Sequence, residues 1–296
     1  MLRPQMVEIL GGKMKIGLIN IEPKIHNTAL MQITHHHREK GDTVEWAKDY
    51  DQHDKLYCSS LFDFTDKSGL PDRAVCGGTG FDLITTLPFD CDLDYSLYPD
   101  CDCSYLWFSR GCIRNCGFCV VRQKEGKLRP VEPKNLNPNG KYIAVQDNNF
   151  FASPEWKKSM WQLWEYGQPV DFQGIDVRVL THEMCESLKH TRHYKQLKIA
   201  WDNPEDDMTR LIKGLLRFVR PSKVMCYVLI GYNSTEQQDL YRIRTLQKLK
   251  ITPYVMCINR REPYQKRFQK WVNGFAYRNV KWEDFKSSGR KNKELK

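Results

Sequence analysis

The stretch Ser109–Val121 reads SRGCIRNCGFCVV, and its three cysteines, Cys112, Cys116 and Cys119, follow the spacing C-x3-C-x2-C. Directly ahead lies SYLWFS (104–109), an apolar run of strand length. A loop leaving a strand end lets three thiolates converge on one inorganic core, and thiolates are the usual holders of iron–sulfur clusters. Three ligands leave one iron position open, much as a catalytic zinc keeps one position free while a structural zinc closes all four. A zinc site here needs a fourth ligand from Cys103 or His182, and the second C-x2-C pair that marks such sites is missing. Three unligated surface thiols so close together are an oxidation liability.

Strand-like runs recur after that loop: KYIAVQD (141–147), VDFQGIDVRVL (170–180), LKIAWD (197–202), KVMCYVLIG (223–231) and TPYVMCIN (252–259). Helical stretches alternate with them, among them SPEWKKSMWQLWEYG, THEMCESLKH, PEDDMTRLIKGLLRFVR and STEQQDLYRIRTLQKLK. Six βα repeats predict a partial (β/α)6 TIM-type barrel over 104–259, with its chemistry at the carboxyl ends of the strands. In GIDVRVL, strand alternation puts Ile175, Val177 and Val179 on one face and Asp176 with Arg178 on the other, inside the barrel. The pair then serves either as a packing salt bridge or as a ligand contact.

Upstream, KMKIGLINIEP (13–23) and NTALMQITHHHREKGDTVEW (27–46) read as a βαβ opening, continued by DKLYCSS and RAVCGGTG. These predict a small open doubly wound α/β domain over 13–103, preceded by an extended or disordered segment 1–12. Its linker to the barrel is expected at 81–103, where periodicity gives way to Asp, Pro and Tyr. The extension 260–296 interleaves Arg260, Arg261, Lys266, Arg267 and Lys270 with Tyr264, Phe268, Trp271, Phe275 and Tyr277. It reads either as phosphate contacts with stacking platforms or as an amphipathic closing helix with a charged end.

A hydrophobic share of 41% supports a buried core, and a mean hydropathy of −0.62 with no long apolar run argues against a membrane span or membrane partner. The first twenty residues break at Gly11-Gly12 and lack a cleavage site, so the expected compartment is cytoplasmic. Eleven cysteines then read as free thiols plus a metal site. Cys91, Cys101 and Cys103 match no ligand spacing for an auxiliary cluster and read as packing thiols. A net charge of +10 favours an anionic substrate or nucleic acid.

With Phe118 at its aromatic position, the cysteine stretch matches C-x3-C-x-aromatic-C and resembles the radical S-adenosylmethionine (SAM) superfamily, a resemblance that extends over most of 104–259. It implies a [4Fe–4S] cluster on Cys112, Cys116 and Cys119 whose open iron chelates SAM. One-electron reduction, from a donor such as flavodoxin or ferredoxin, then splits SAM into methionine and a 5′-deoxyadenosyl radical that abstracts a hydrogen. Phe118 is implied to lie near the adenine. QDNNF (146–150) stands where the family binds the SAM amino group, which nominates Asn148 and Asn149, although Asp147-Asn148-Asn149 departs from the family's glycine- and acid-containing pattern. VLIGYNSTE (228–236) resembles the family's fifth-strand motif, with Ile230 and Gly231 near adenine. Arg178 is the candidate for the SAM carboxylate and Asp202 for the ribose, by strand position and charge.

A small α/β domain ahead of such a barrel looks like a cobalamin-binding domain, and Gly77-Gly78-Thr79-Gly80 fits its nucleotide-tail loop. The Asp-x-His-x-x-Gly ligand motif is absent, and cobalamin is the minority expectation. His26 does not match it, and neither do His35, His36 and His37, which fall on one predicted helix about 100° apart and cannot meet at one metal. They read as surface residues, one of them packed. The implied reactions after hydrogen abstraction are methyl or methylthio transfer and nucleic-acid modification. The alternative is a non-catalytic iron–sulfur or nucleic-acid-binding module on the same scaffold.

Overall fold

The structure, a computed structural model, describes residues 12–286 and divides into two compact units. One runs to Tyr105 and takes in Lys134–Gly140; the other holds Leu106–Pro133 and the chain from Lys141 onward. Of the expected N-terminal segment only Gly12 is described, and 287–296 of the C-terminal extension lie outside the described residues.

In the first unit, β1 (Lys15–Ile19), β2 (Thr43–Trp46), β3 (Lys55–Ser59) and β4 (Val75–Gly77) form a parallel sheet in the order β2-β1-β3-β4. Helix α1 (Thr28–Glu39) crosses from β1 to β2 and starts at Asn27, whose Oδ1 accepts from Ala29 N at 3.1 Å and Leu30 N at 3.3 Å. Its Leu30 and Ile33 pack with Ile16, Leu18, Val44 and Tyr57, and burial of each aliphatic side chain contributes about 1.5–3 kcal/mol. At Gly17 a Cβ would stand 2.6 Å from Leu56 Cδ2 and 2.7 Å from the His53 ring, so a larger residue must push those side chains aside.

Two expectations change here. Helix α1 is the single α-helix among the described residues of this unit, so no helix covers the second sheet face as a doubly wound domain requires; β3 reaches β4 through a loop. Residues 81–103 belong to the unit rather than linking it, with Tyr95 and Tyr98 buried and the Leu97 carbonyl accepting from Trp46 Nε1 at 3.2 Å. Of the histidine run, His37 is the packed member. His37 is 3% exposed, its ring bonded to Asp42 Oδ2 (2.7 Å) and Tyr57 Oη (3.0 Å), and His36 stacks on Phe89 at 3.8 Å. Close packing explains the GGTG turn: Gly78 has φ +93°, and a Cβ there would lie 2.4 Å from the Ser60 carbonyl. Cys101 and Cys103 are buried and Cys91 half-buried, as packing thiols would be.

The second unit is a mixed α/β arrangement of parallel strands and connecting helices. Leu106, the last residue of β5 (Cys103–Leu106), accepts from Gln146 N at 2.8 Å, just past β8 (Tyr142–Val145). Between them β6 (Ser109–Arg110) and β7 (Arg129–Pro130) pair antiparallel and enclose the cysteine loop with its short helix α2 (Val121–Lys124). β8 pairs in parallel with β9 (Val170–Phe172), and β10 (Leu197–Ala200), β11 (Val224–Ile230) and β12 (Thr252–Cys257) form a parallel sheet in that order. Parallel bridges Val170–His193 and Ile175–Ile199 continue the pairing from β9 to β10.

The connecting helices are α3 (Trp156–Glu165), α4 (His182–His190), α5 (Met208–Leu215) and α6 (Glu236–Lys248), followed by α7 (Pro263–Asn273). Thr181 and Thr235 cap α4 and α6 through their hydroxyls. The strand predicted over 170–180 stops at Phe172. Gly174 packs against the backbone of the neighbouring loop, where a Cβ would lie 2.4 Å from the Asp147 carbonyl, and Val177–Val179 form a turn. In the C-terminal extension Phe268, Trp271 and Tyr277 are buried, and Arg267 donates to the Trp282 and Phe285 carbonyls with its guanidinium 3.9 Å from the Trp282 ring. These aromatics are core, which removes them as stacking platforms. Among the described residues no helix is long and apolar enough to cross a membrane.

Candidate functional site

The cysteine loop is tied at its base by the β6–β7 ribbon, and Cys112 N donates to the Gly126 carbonyl at 3.4 Å. Gly111 makes the turn into it with φ +78°, and a Cβ there would lie 2.4 Å from the Lys127 carbonyl. Beyond, Cys119 N donates to the Cys116 carbonyl at 3.0 Å and Arg114 N to Cys112 Sγ at 3.4 Å, so the loop is held by its own backbone. Asp147 secures the approach: Oδ1 accepts from Phe108 N at 2.9 Å and Oδ2 from Ser109 Oγ at 2.5 Å. Burial pushes this carboxyl up to about 6 against the pull of those hydrogen bonds.

All three thiols are free; Cys112 and Cys116 are half-buried and Cys119 is exposed. Burial raises the Cys116 thiol above its ordinary value, Cys119 adds to this, Arg178 opposes it, and Asp202 and Cys112 add further. Among the described residues no three His, Cys, Asp or Glu side chains are gathered to hold one metal ion. The donor chemistry fits an iron–sulfur cluster: three unpaired thiols on one anchored loop, with no disulfide among them. In such a cluster each cysteine binds a different iron, so the three thiols need not converge on one ion, and binding releases their protons.

A cavity of about 490 Å³ opens beside the loop. Cys116 and Phe118 form one wall, Arg178 and Asp206 another, and Tyr232 with Asn233 a third. These groups follow the ends of β5, β9, β10 and β11, so the cavity sits at the carboxyl ends of the parallel strands β9–β11, where ligands collect in open α/β sheets. Phe118 meets Tyr232 edge-on at 5.2 Å, and Gly117 leaves room for the Tyr232 hydroxyl, which a Cβ would approach to 2.4 Å.

Among the residues nominated from sequence, Cys116, Phe118 and Arg178 line this cavity. Cys112 and Cys119 belong to the same loop. Asn148 donates from Nδ2 to Glu125 Oε2 at 3.1 Å; Asn149 is 2% exposed, its Oδ1 buried without a partner. Ile230 is fully buried, and Gly231, at φ +79°, packs against Gln265; the next two residues, Tyr232 and Asn233, reach the cavity instead. Asp202 has its carboxyl pushed up to about 6 by burial against the opposing charges of Arg178 and Arg242, while Asn203 and Asp206 line the cavity.

Arg178 and Asp176 lie at a turn, so strand alternation does not govern them. Arg178 donates from Nε to Asp176 Oδ1 at 2.7 Å and from Nη1 to Asp206 Oδ2 at 3.0 Å, while Arg114 Nε donates to Asp176 Oδ2 at 2.6 Å. The result is a chain of alternating charges, Arg114–Asp176–Arg178–Asp206, from the cysteine loop across the cavity.

Sequence reading also missed Arg242 on α6. It is completely buried and donates to the carbonyls of Trp201 (2.8 Å), Asp202 (3.2 Å) and Leu229 (2.9 Å), fastening the carboxyl ends of β10 and β11. Asp239 accepts from it at 2.5 Å and from Tyr264 Oη at 2.7 Å. A signal was available: Asp239 and Arg242 stand three apart on the helix face that also carries Ile243 and Leu246. No protein-family model matches this chain, and comparison with curated proteins yields no match.

Proposed function

We propose that the chain is a radical SAM enzyme whose second unit is a partial (β/α)6 barrel, with Cys112, Cys116 and Cys119 as the ligands of a [4Fe–4S] cluster. The observation that carries the reading is that C-x3-C-x-Phe-C sits on an anchored loop whose Cys116 and Phe118 wall a polar cavity at strand carboxyl ends. When bound, cluster and SAM supply one-electron reductive cleavage and, through it, hydrogen abstraction, with the electron coming from a flavodoxin- or ferredoxin-type donor. The protein's part is to bind, orient and exclude water.

Phe118 and Tyr232 offer apolar ring surface for the adenine. Arg178 spends its guanidinium on Asp176 and Asp206, so its contact with the SAM carboxylate requires Asp206 to yield. Asn203 and Asp206, which line the cavity, take the ribose contact beside Asp202. Asn148 supplies a polar group behind the loop through Glu125. The reading carries no cobalamin step. The substrate class is anionic, in keeping with the net charge of +10.

Anaerobic reconstitution with iron and sulfide tests the ligand set. The proposal expects about four irons per native chain, the count of a [4Fe–4S] cluster, and a loss of most of them in Cys112→Ala, Cys116→Ala or Cys119→Ala. Iron near zero in the native protein overturns it. A non-catalytic iron–sulfur or nucleic-acid-binding module is the second reading; it expects no SAM turnover.

A further inference from the structure

A second cavity, of about 550 Å³, lies at the amino ends of β10 and β11, the opposite end of those parallel strands from the cysteine loop. We propose that it binds a nucleotide, with the phosphate between Lys195 and Lys223 and the base on Tyr194.

The electrostatics favour an anion. Lys195, Lys198 and Lys223 line the cavity and no carboxylate does. Lys198 is already neutralised by a buried ion pair with Asp171, which leaves two exposed ammonium groups for a ligand. Neither Lys195 nor Lys223 makes an ion pair among the described residues, and Lys195 instead stands over the rings of Tyr142 and Tyr194, at 5.7 and 5.6 Å. Paired ammonium groups without counterions, held over a concave surface, are what a phosphate dianion requires.

The ring surface favours a base. Tyr142 and Tyr194 stack at 3.7 Å with 8° between planes, which fixes the Tyr194 ring while leaving the residue 43% exposed. A rigid exposed aromatic beside lysines is the pairing that captures a base and its phosphate together. Gln196 also lines the cavity, its Nε2 spent on the Ser222 carbonyl at 2.8 Å and Thr252 Oγ1 at 3.3 Å. The volume lies within the usual range of small-ligand pockets. On the same sheet face, the next row of side chains is the register pair Tyr227–Tyr254, in edge contact at 5.6 Å, which offers a second aromatic step to a strand longer than one nucleotide.

The nucleotide can be free or part of a single strand, and two probes separate these sources: ADP by calorimetry and a fluorescein-labelled 12-nucleotide single-stranded RNA by anisotropy. Both are measured on the full native chain, on Lys195→Glu/Lys223→Glu, on Tyr194→Ala, and on the charge-matched control Lys213→Glu/Lys248→Glu. The proposal expects at least one probe to bind. The cavity double variant then loses about tenfold or more in affinity, Tyr194→Ala loses about fivefold, and the control keeps native affinity. If the RNA is the ligand, its salt slope flattens by about 0.7 in the cavity variant, the value for the one phosphate the two lysines share. ADP binding assigns a free nucleotide; RNA binding without ADP binding assigns a strand. Binding of neither probe, unchanged affinity in the cavity variant, or equal loss in the control overturns the proposal. Of the five substituted positions, all but Tyr194 are exposed lysines, and far-UV circular dichroism verifies that each variant is folded. The outcome is independent of whether the cysteine loop binds a cluster.

Discussion

Arg114, between the first two cysteines, donates from Nε to Asp176 Oδ2 at 2.6 Å and so fastens the cysteine loop to the turn that follows β9. The Asp176 side chain is 11% exposed, and burial alone would raise its carboxyl; hydrogen bonds from Arg178 and Arg114 outweigh that and hold it below the usual range. Asp176→Ala removes the carboxylate between two guanidinium groups: Arg178 keeps Asp206, while Arg114 loses its ion-pair partner. The expected cost is about 1–3 kcal/mol of stability, with a lowered iron content after reconstitution. Denaturant unfolding and iron assay on the same preparation check both. Because the folded pKa is depressed, this contribution is present above the ordinary carboxylate pKa and is lost as pH falls through the folded value.

Asp147 titrates the other way. Its folded value of about 6 lies above that of an unfolded aspartate, so from roughly pH 4 to 6 the unfolded chain ionises first and stability falls as pH rises. Asp147→Asn keeps an oxygen for Phe108 N and offers an amide to Ser109 Oγ while removing the charge. Thermal melts at pH 4 and pH 7 are expected to show the variant gaining on the native protein by up to about 3 kcal/mol across that window. A constant difference between the two pH values contradicts the buried ionisation.

Arg242 is a fully buried cation that holds the ends of two strands. Arg242→Ala removes three carbonyl contacts and strands the buried Asp239, for an expected loss of about 3–5 kcal/mol. Arg242→Ala/Asp239→Ala, which also deletes the stranded charge, is expected to be less destabilised than the sum of its single variants. A double-mutant cycle by urea unfolding measures the coupling.

Gly117 and Tyr232 form a steric pair. A Cβ at 117 would sit 2.4 Å from the Tyr232 hydroxyl, so Gly117→Ala displaces that ring from Phe118, and Tyr232→Phe in the same chain relieves the contact. The Gly117→Ala defect in SAM affinity, expected at about tenfold by loss of ring contact, is therefore expected to shrink in the double variant.

What was legible in the sequence follows from which forces are local. VLIG, KIA and YIAV could be read as strands because apolar runs of that length bury on both faces, and the helical stretches THEMCESLKH and STEQQDLYRIRTLQKLK contain α4 and α6, whose threonine caps only the structure shows. The strand expected through Arg178 failed because Gly174 answers to a neighbouring backbone rather than to the alternation of its own segment. Phe268 and Trp271 resembled stacking platforms because a basic helix with a buried apolar stripe has the same composition as a nucleic-acid contact. The partners of His37, Asp42 and Tyr57, come from separate elements, and the run of three histidines alone does not name them. In the site, Cys116 and Phe118 were legible from spacing; Tyr232 and Asn233 were not, because one residue of turn geometry decides which side chain after β11 faces the cavity.

The central claim is that the vacancy left by Cys112, Cys116 and Cys119 is a SAM site. Its direct test is 5′-deoxyadenosine released when the anaerobically reconstituted protein is mixed with SAM and dithionite. The account predicts release from the native protein and a fall to background in Cys112→Ala. Release from neither, with four irons bound in the native protein, contradicts the enzyme reading while leaving the cluster in place.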